Sequence, residues 1–226
     1  ILPPLLSVLL LAGALTSCAL LPIARPPAPP PPAGVEIPFE QIPPEFQRAA
    51  READNAFREG RLHEALDLFS RILDRNPPDI VVSWSHFRMG EILESLDRLP
   101  ESVQFLESAG THFKGRPHET DVLIALARVH GKRGMNEQAM AILDDLLSRE
   151  REPRQEREVI LLRADIFWNE NRWSEAFESY VDLLKRRPGP AEAALARTRI
   201  EAIIEERFDQ AELLQWAELA GREYPS

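Results

Sequence analysis

The chain has 226 residues, of which 44% are hydrophobic and 28% charged, and its formal net charge is −10. That composition supplies enough apolar side chains for a packed core and excludes a wholly disordered chain. The acidic balance repels phosphate backbones and argues against nucleic acid as a partner. Cys18 is the single cysteine, so a disulfide within the chain and a cysteine-based metal site are both excluded.

An apolar run at residues 5–21 matches the core of an export signal and is slightly short for a membrane-spanning helix. Within it, the sequence Leu-Thr-Ser-Cys at residues 15–18 resembles the bacterial lipobox. The resemblance implies a lipoprotein signal peptide at residues 1–17 and a lipid anchor on Cys18. Because Ala19 rather than Asp follows the cysteine, it also implies the outer membrane of a bacterial envelope, facing the periplasm. An uncleaved anchor or a plain secretory signal is the alternative.

A proline-rich stretch follows the apolar run. Twelve of the 20 prolines lie in residues 1–44, and Arg25 is the only charged residue before Glu36. Consecutive prolines favour polyproline II, which is semi-rigid and rises about 3.1 Å per residue. We therefore interpret residues 18–44 as a lipidated N-terminus and a disordered tether. A ligand for a proline-binding domain is the alternative, but no suitably spaced Arg flanks a Pro-x-x-Pro core.

From residue 45 onwards, residue types recur at a step of 37 residues. A small residue is followed by a bulky one four positions later and an apolar one seven positions later. These residues are Ala65, Phe69, Ile72; Ser102, Leu106, Ala109; Ala139, Leu143, Leu146; and Ala176, Tyr180, Leu183. A second small residue stands twelve positions before each of the first, at Ala53, Gly90, Ala127 and Ala164. Small residues at facing positions let two helices approach closely, so the pattern predicts helical hairpins.

Five positions before each small residue stands a type that tolerates a left-handed backbone. These residues are Gly60, Asp97, Gly134 and Asn171. A tight turn between two helices requires such a residue, which places the hairpin turns there. Prolines fall between the hairpins, where helices should stop, at Pro77, Pro78, Pro117, Pro153 and Pro188.

This spacing resembles the tetratricopeptide repeat, which has Leu-Gly in its first helix, then Ala-x₃-Phe and a closing Pro. Met89-Gly90, Ala65-x₃-Phe69 and Ala176-x₃-Tyr180 carry the resemblance. It implies an all-α fold, an α-solenoid of about five antiparallel hairpins. Four repeats would span residues 45–188. A degenerate fifth hairpin or cap would span residues 189–226.

Catalytic signatures are missing from the sequence. The five histidines form no His-Glu-x-x-His motif, and no nucleophile stands beside a base and an orienting group. The Gly-Lys-Arg-Gly run at residues 131–134 lacks the spacing of a phosphate-binding loop. We therefore expect a protein that is not an enzyme and binds neither a cofactor nor a metal.

The resemblance also implies a ligand surface, the concave face lined by side chains of the first helices. Its offsets, applied to this sequence, select Asp54, Phe57, Trp84, Phe87, Glu91, Ile124, Arg128, Leu161, Asp165 and Trp168. Aromatic residues beside charges suit a protein or peptide partner. The alternative is that Trp84, Phe87 and Ile124 belong to the core between repeats.

Two kinds of lipoprotein are similar in architecture. The chain resembles the N-terminal repeat region of penicillin-binding-protein activators, which stimulate peptidoglycan synthases by contact. It is also similar in length and repeat number to the lipoprotein component of the outer-membrane β-barrel assembly machinery. A third hypothesis is that the repeats present a further C-terminal ligand-binding or catalytic domain.

Overall fold

The computed structural model describes residues 35–116, 118–149 and 151–208. The predicted signal peptide, the lipidation site Cys18 and the second helix of the expected fifth hairpin lie outside these residues. The described residues belong to two compact units, one spanning residues 33–170 and one that includes residues 171–208. Regular structure in the described part is helical throughout, which confirms the predicted all-α class.

The described residues of the first unit form seven α-helices. They are α1 (Pro44–Arg58), α2 (Leu62–Leu73), α3 (Asp79–Ser95), α4 (Leu99–Phe113), α5 (Glu119–Lys132), α6 (Asn136–Ser148) and α7 (Pro153–Asn169). In the second unit, α8 (Trp173–Lys185) is followed by α9 (Pro190–Glu206). Among the described helices, none is both long enough and apolar enough to cross a bilayer.

The predicted turn residues have the left-handed backbone that their types indicated. The φ angles are 76° at Gly60, 59° at Asp97, 72° at Gly134 and 60° at Asn171. After α1, the amide of Gly60 donates to the carbonyl of Phe57 and the amide of Arg61 to that of Ala56, both at 2.9 Å. This pair of hydrogen bonds is the Schellman motif, which satisfies the last carbonyls of a helix. The hairpin turns at Gly60, Asp97 and Gly134 are therefore confirmed, and Asn171 has the backbone predicted for it.

Small residues bring α3 and α4, the two helices of one hairpin, into close contact. Ser102 on α4 is fully buried, and its Oγ donates to the carbonyl oxygen of Gly90 on α3 at 2.7 Å. A Cβ added to Gly90 would lie only 2.6 Å from Cγ of Leu106. The bulky residues of the repeat fill the space beside them, since Phe69, Leu106 and Leu143 are almost completely buried.

Packed structure begins earlier than the proline content indicated. Residues 35–43 were assigned to the disordered tether, yet Ile37 and Ile42 are only 4% and 2% exposed and belong to the core of the first unit. A 3-10 turn, Phe39–Gln41, lies between them. The tether prediction is therefore corrected at its C-terminal end. Prolines prevent a helix there, but they do not prevent the aliphatic residues between them from being buried.

The second unit consists, in its described part, of a helix pair. The ring of Phe208, just after α9, lies 5.2 Å from the ring of Phe177 near the start of α8. The guanidinium of Arg207 lies 4.8 Å above the Trp173 ring. The end of one helix therefore meets the beginning of the other, so the pair is antiparallel. The helix predicted at residues 191–206 is confirmed as α9.

Candidate functional site

Ion pairs link the first helices α1, α3, α5 and α7 to one another. The side of these helices that carries the pairs is here called the first-helix face. Arg88 on α3 reaches Asp54 on α1, Arg128 on α5 reaches Glu94 on α3, and Arg154 on α7 reaches Asp121 on α5. Each link joins a basic and an acidic residue on neighbouring first helices. On this face, basic and acidic side chains of the protein are therefore paired with one another.

Arg88 is the centre of the first link. Its side chain is 1% exposed, and its Nε donates to Oδ1 of Asp54 at 2.8 Å and its Nη1 to Oε2 of Glu91 at 2.5 Å. Its Nη2 donates to the backbone carbonyl of Val35. Burial raises the pKa of Glu91, although the charge of Arg88 acts in the opposite direction. Two carboxylates and one carbonyl thus satisfy the buried guanidinium.

The second link is the most extensive. Arg128 holds Glu94 with both ends of its guanidinium, Nε to Oε1 at 2.8 Å and Nη2 to Oε2 at 2.9 Å. Lys132 Nζ lies 2.8 Å from the same carboxylate, and Arg128 Nη1 donates to Glu158 on α7 at 3.2 Å. Burial alone would raise the pKa of Glu94, but Arg128 and Lys132 outweigh it and hold that pKa below its ordinary value. Burial raises the pKa of Glu158.

The third link joins α5 to α7. Oδ1 of Asp121 accepts hydrogen bonds from Nη2 of Arg154 at 2.7 Å and from Nε2 of Gln155 at 3.0 Å. Nδ1 of His118 lies 3.6 Å from the other oxygen of the same carboxylate. Arg154 also donates to Glu158 at 3.2 Å, so the second and third links form one network.

Three of the residues predicted to line the concave face lie in the core. Trp84 and Phe87 are 1% exposed and Ile124 is 2% exposed. The Trp84 ring packs edge-on against the ring of Phe113 on α4, with centroids 5.1 Å apart. Side chains covered to this extent cannot touch a partner, so the core interpretation applies to these three. Asp54 and Glu91, 2% and 8% exposed, are covered as well and act inside the Arg88 cluster.

The other residues predicted for the concave face retain accessible surface. Phe57 is half-buried below the guanidinium of Arg88, whose centre lies 5.4 Å from the ring. Arg128 is 15% exposed in its side chain. Leu161, Asp165 and Trp168 are half-buried on α7. The accessible part of the predicted site therefore lies chiefly on α5 and α7.

Sequence reasoning missed the basic, acidic and amide partners that link the helices of this face. These are Arg88, Glu94, Asp121, Arg154, Gln155 and Glu158. A signal was present, because the pairs Asp54 and Arg88, Glu94 and Arg128, and Asp121 and Gln155 are each separated by 34 residues. This separation equals one repeat step of 37 less about one helical turn, which is the offset at which neighbouring first helices meet. Within the described residues, no group of three or more metal-ligating side chains is placed to hold an ion.

No family model matches the sequence, and no curated protein matches it. Among solved structures, the chain is similar to a putative kinesin light chain from Podosopora anserina with nearly identical TPR-like repeats. The identity is 14% and the TM-score 0.57, over 80% of this chain and 98% of that chain. The fold is that of tetratricopeptide-like repeats. At this identity the similarity concerns the fold alone, and it agrees with the hairpin turns and buried small residues described above.

Proposed function

We propose that this chain is a non-catalytic scaffold that binds a protein partner along the α5 and α7 part of the first-helix face. A repeat array suits this role because stacked hairpins create an extended surface without a closed active site. The observation that carries the proposal is the half-buried row Leu161, Asp165 and Trp168 on α7. The partly exposed Arg128 of α5 contacts Glu158, three residues before the start of this row. Tryptophan is among the side chains that most often anchor a protein partner.

The ion pairs on this face indicate the chemistry of the partner. Arg128 already holds Glu94 in a two-pronged interaction and contacts Glu158. A partner carboxylate would have to break these contacts to reach the guanidinium, and it would gain little for doing so. We infer that the partner binds mainly through apolar contact with Trp168 and Leu161, with polar groups at the edge of the contact.

We further propose a location and a process for the scaffold. The lipobox-like sequence before Cys18 and the apolar run at residues 5–21 support a lipoprotein anchored in the outer membrane and facing the periplasm. The resemblance to the repeat region of penicillin-binding-protein activators supports contact with peptidoglycan synthases. A diacyl anchor gives stable attachment, since one acyl chain alone holds a protein only marginally.

The anchor and the partner are tested by separate experiments. Mass spectrometry of protein extracted from bacterial membranes should find acylation at Cys18, and Cys18→Ala should release the protein into the soluble fraction. An unmodified Cys18 in the wild-type protein would contradict the anchor.

For the partner, the tagged wild-type chain should capture peptidoglycan synthases from solubilised membranes. The variant Asp165→Ala/Trp168→Ala should lose this capture, whereas the control Asp144→Ala, which removes an exposed carboxylate on α6, should retain it. Capture of β-barrel insertion factors instead would favour the assembly machinery. Equal capture by both variants, with unchanged melting temperatures, would exclude this surface.

A further inference from the structure

The segment Val35–Ile42 lies along α1 in the opposite direction to the helix. Nε2 of Gln47 donates to the carbonyl of Ile42 at 2.8 Å, near the start of α1. One turn further along, the guanidinium of Arg51 lies 4.4 Å above the Phe39 ring. At the far end, Arg88 of α3 donates to the carbonyl of Val35. The three contacts follow the helix in order, so the segment is laid along its length.

The contacted positions belong to the first-helix face. Arg88 is one repeat step of 37 residues from Arg51, and Glu91 is one step from Asp54. On α5 and α7, the position equivalent to Asp54 is occupied by Arg128 and Asp165, which retain accessible surface. On α1 and α3 it is occupied by Asp54 and Glu91, which are covered. The chain thus covers the first half of the face with a segment of its own and leaves the second half accessible.

The contacts between the segment and the helices indicate which kind of peptide this surface would bind. Ile37 and Ile42, five residues apart, are buried, whereas Glu36, Glu40 and Gln41 are exposed. The contact with Arg88 is made by a backbone carbonyl, which every residue possesses. The surface therefore selects two aliphatic side chains at this separation and tolerates polar residues between them.

We propose that Val35–Ile42 is an internal occupant of a docking groove over α1 and α3, and that an extended segment of a partner protein with two aliphatic anchors displaces it. The groove is thereby closed in the free protein and opened by a competing ligand. This inference rests on the proposed scaffold function, and it concerns the half of the face that the proposed partner contact on α7 does not use.

The buried ion pairs of Arg88 do not depend on the segment. When the segment leaves, Arg88 keeps its ion pairs with Asp54 and Glu91, so no buried charge loses its counter-ion. The segment contributes a single 3-10 turn of regular structure, and ordering eight residues carries an entropic cost that opposes its own docking. Its direct connection to α1 supplies the opposing advantage of a high local concentration.

A peptide-binding experiment tests the inference. A fluorescently labelled peptide of the sequence Val-Glu-Ile-Pro-Phe-Glu-Gln-Ile is titrated with the full chain, with the variant Ile37→Ser/Ile42→Ser and with the control Glu36→Ser/Glu40→Ser. Fluorescence anisotropy should show that the Ile37→Ser/Ile42→Ser chain binds the peptide at least about tenfold more tightly than the other two, because its own segment no longer competes. A peptide with both isoleucines replaced by serine should not bind.

Two results would overturn the inference. The first is a folded Ile37→Ser/Ile42→Ser chain that binds no peptide. The second is loss of its cooperative thermal transition, because the first unit would then need the segment in order to fold, and a partner could not displace it. Capture of partners is tested with chains that keep the native Ile37 and Ile42, so failure of this inference is distinguishable from failure of the proposed function.

Discussion

Arg88 on α3 and Asp54 on α1 form an ion pair in the interior of the first unit. Nε and Oδ1 are 2.8 Å apart, and the two residues are 1% and 2% exposed. Asp54 also accepts a hydrogen bond from Arg58 at 2.7 Å. Removing two charges from water is costly, and the cost is offset only when each group keeps its partners. The pair therefore makes the contact between the first two repeats sensitive to loss of either member.

The first prediction concerns Arg88→Ala. This substitution leaves Asp54 and Glu91 without their shared cation, so we expect the free energy of unfolding to fall by about 3–5 kcal/mol. Urea denaturation followed by circular dichroism measures this change. The control is Arg98→Ala, because Arg98 pairs with Glu101 at the same spacing of three residues but in solvent. We expect no resolvable shift for the control. Equal changes in the free energy of unfolding for the two variants would contradict the argument that burial makes the Arg88 ion pair important for stability.

The second prediction concerns the close approach of α3 and α4. Gly90→Ala places a Cβ 2.6 Å from Leu106, a completely buried side chain, so we expect a loss of about 1–3 kcal/mol from overpacking. Gly131→Ala on α5 is the matched control, because its Cβ would lie 3.6 Å from Ile166, an ordinary contact. It should stabilise the protein by about 0.5–1 kcal/mol, since alanine is the better helix former. Thermal unfolding that ranks the two variants in the reverse order would refute this packing argument.

The third prediction concerns the turn between α3 and α4. Asp97 has a φ of 59°, and its amide and that of Arg98 donate to Glu94 and Leu93 in the Schellman pattern. Asp97→Gly should keep or slightly raise the melting temperature, because glycine adopts this backbone freely. Asp97→Val should cost about 1–2 kcal/mol, because a β-branched residue is strained there. Identical melting temperatures for the two variants would show that the turn does not limit stability.

The fourth prediction concerns pH. Burial, and then the nearby charge of His112, lower the pKa of His86, whose Nδ1 lies 2.8 Å from Oγ of Ser108. The unfolded chain then binds more protons than the folded one once the pH falls below about 6.5, the ordinary histidine value. The contribution of His86 to stability is present above that pH and is lost as the pH falls through the lowered folded pKa.

His86→Gln should therefore lose less stability than the wild type between about pH 7.5 and about pH 5. Denaturant midpoints at the two pH values measure the difference, and Gln104→Ala, an exposed change on α4, is the control. The pKa of His130 is lowered in the same direction, so part of the wild-type slope should persist in His86→Gln. An equal change of the denaturant midpoint with pH for all three proteins would show that His86 does not contribute to the pH dependence of stability.

Features that depend on one residue and its backbone were predictable. Gly60, Asp97 and Gly134 occupy left-handed turns because their residue types have low steric cost there, whatever surrounds them. The small residues of the repeat were predictable for a similar reason. A fixed step along the sequence places them at the same point of every hairpin, where only a small side chain fits.

The candidate site was less predictable. The spacing taken from the tetratricopeptide resemblance specifies the position of a residue on its helix, but it does not specify which neighbours cover the side chain. Trp84, Phe87 and Ile124 were selected as residues of the concave face and lie in the core. A large apolar side chain is equally suited to a core and to a binding surface, so residue type cannot separate the two.

The sequence alone determined the all-α repeat architecture, because hairpin turns and small contact positions are encoded locally and recur every 37 residues. Only the tertiary structure decided that Arg88 is buried and that residues 35–42 pack on the first repeats. Arg88 and Val35 are separated by 53 residues in the chain, and no local pattern links them. The burial of a side chain depends on neighbours that folding brings together. The burial of Arg88 and of residues 35–42 therefore follows from the packing of α1, α3 and the segment before them.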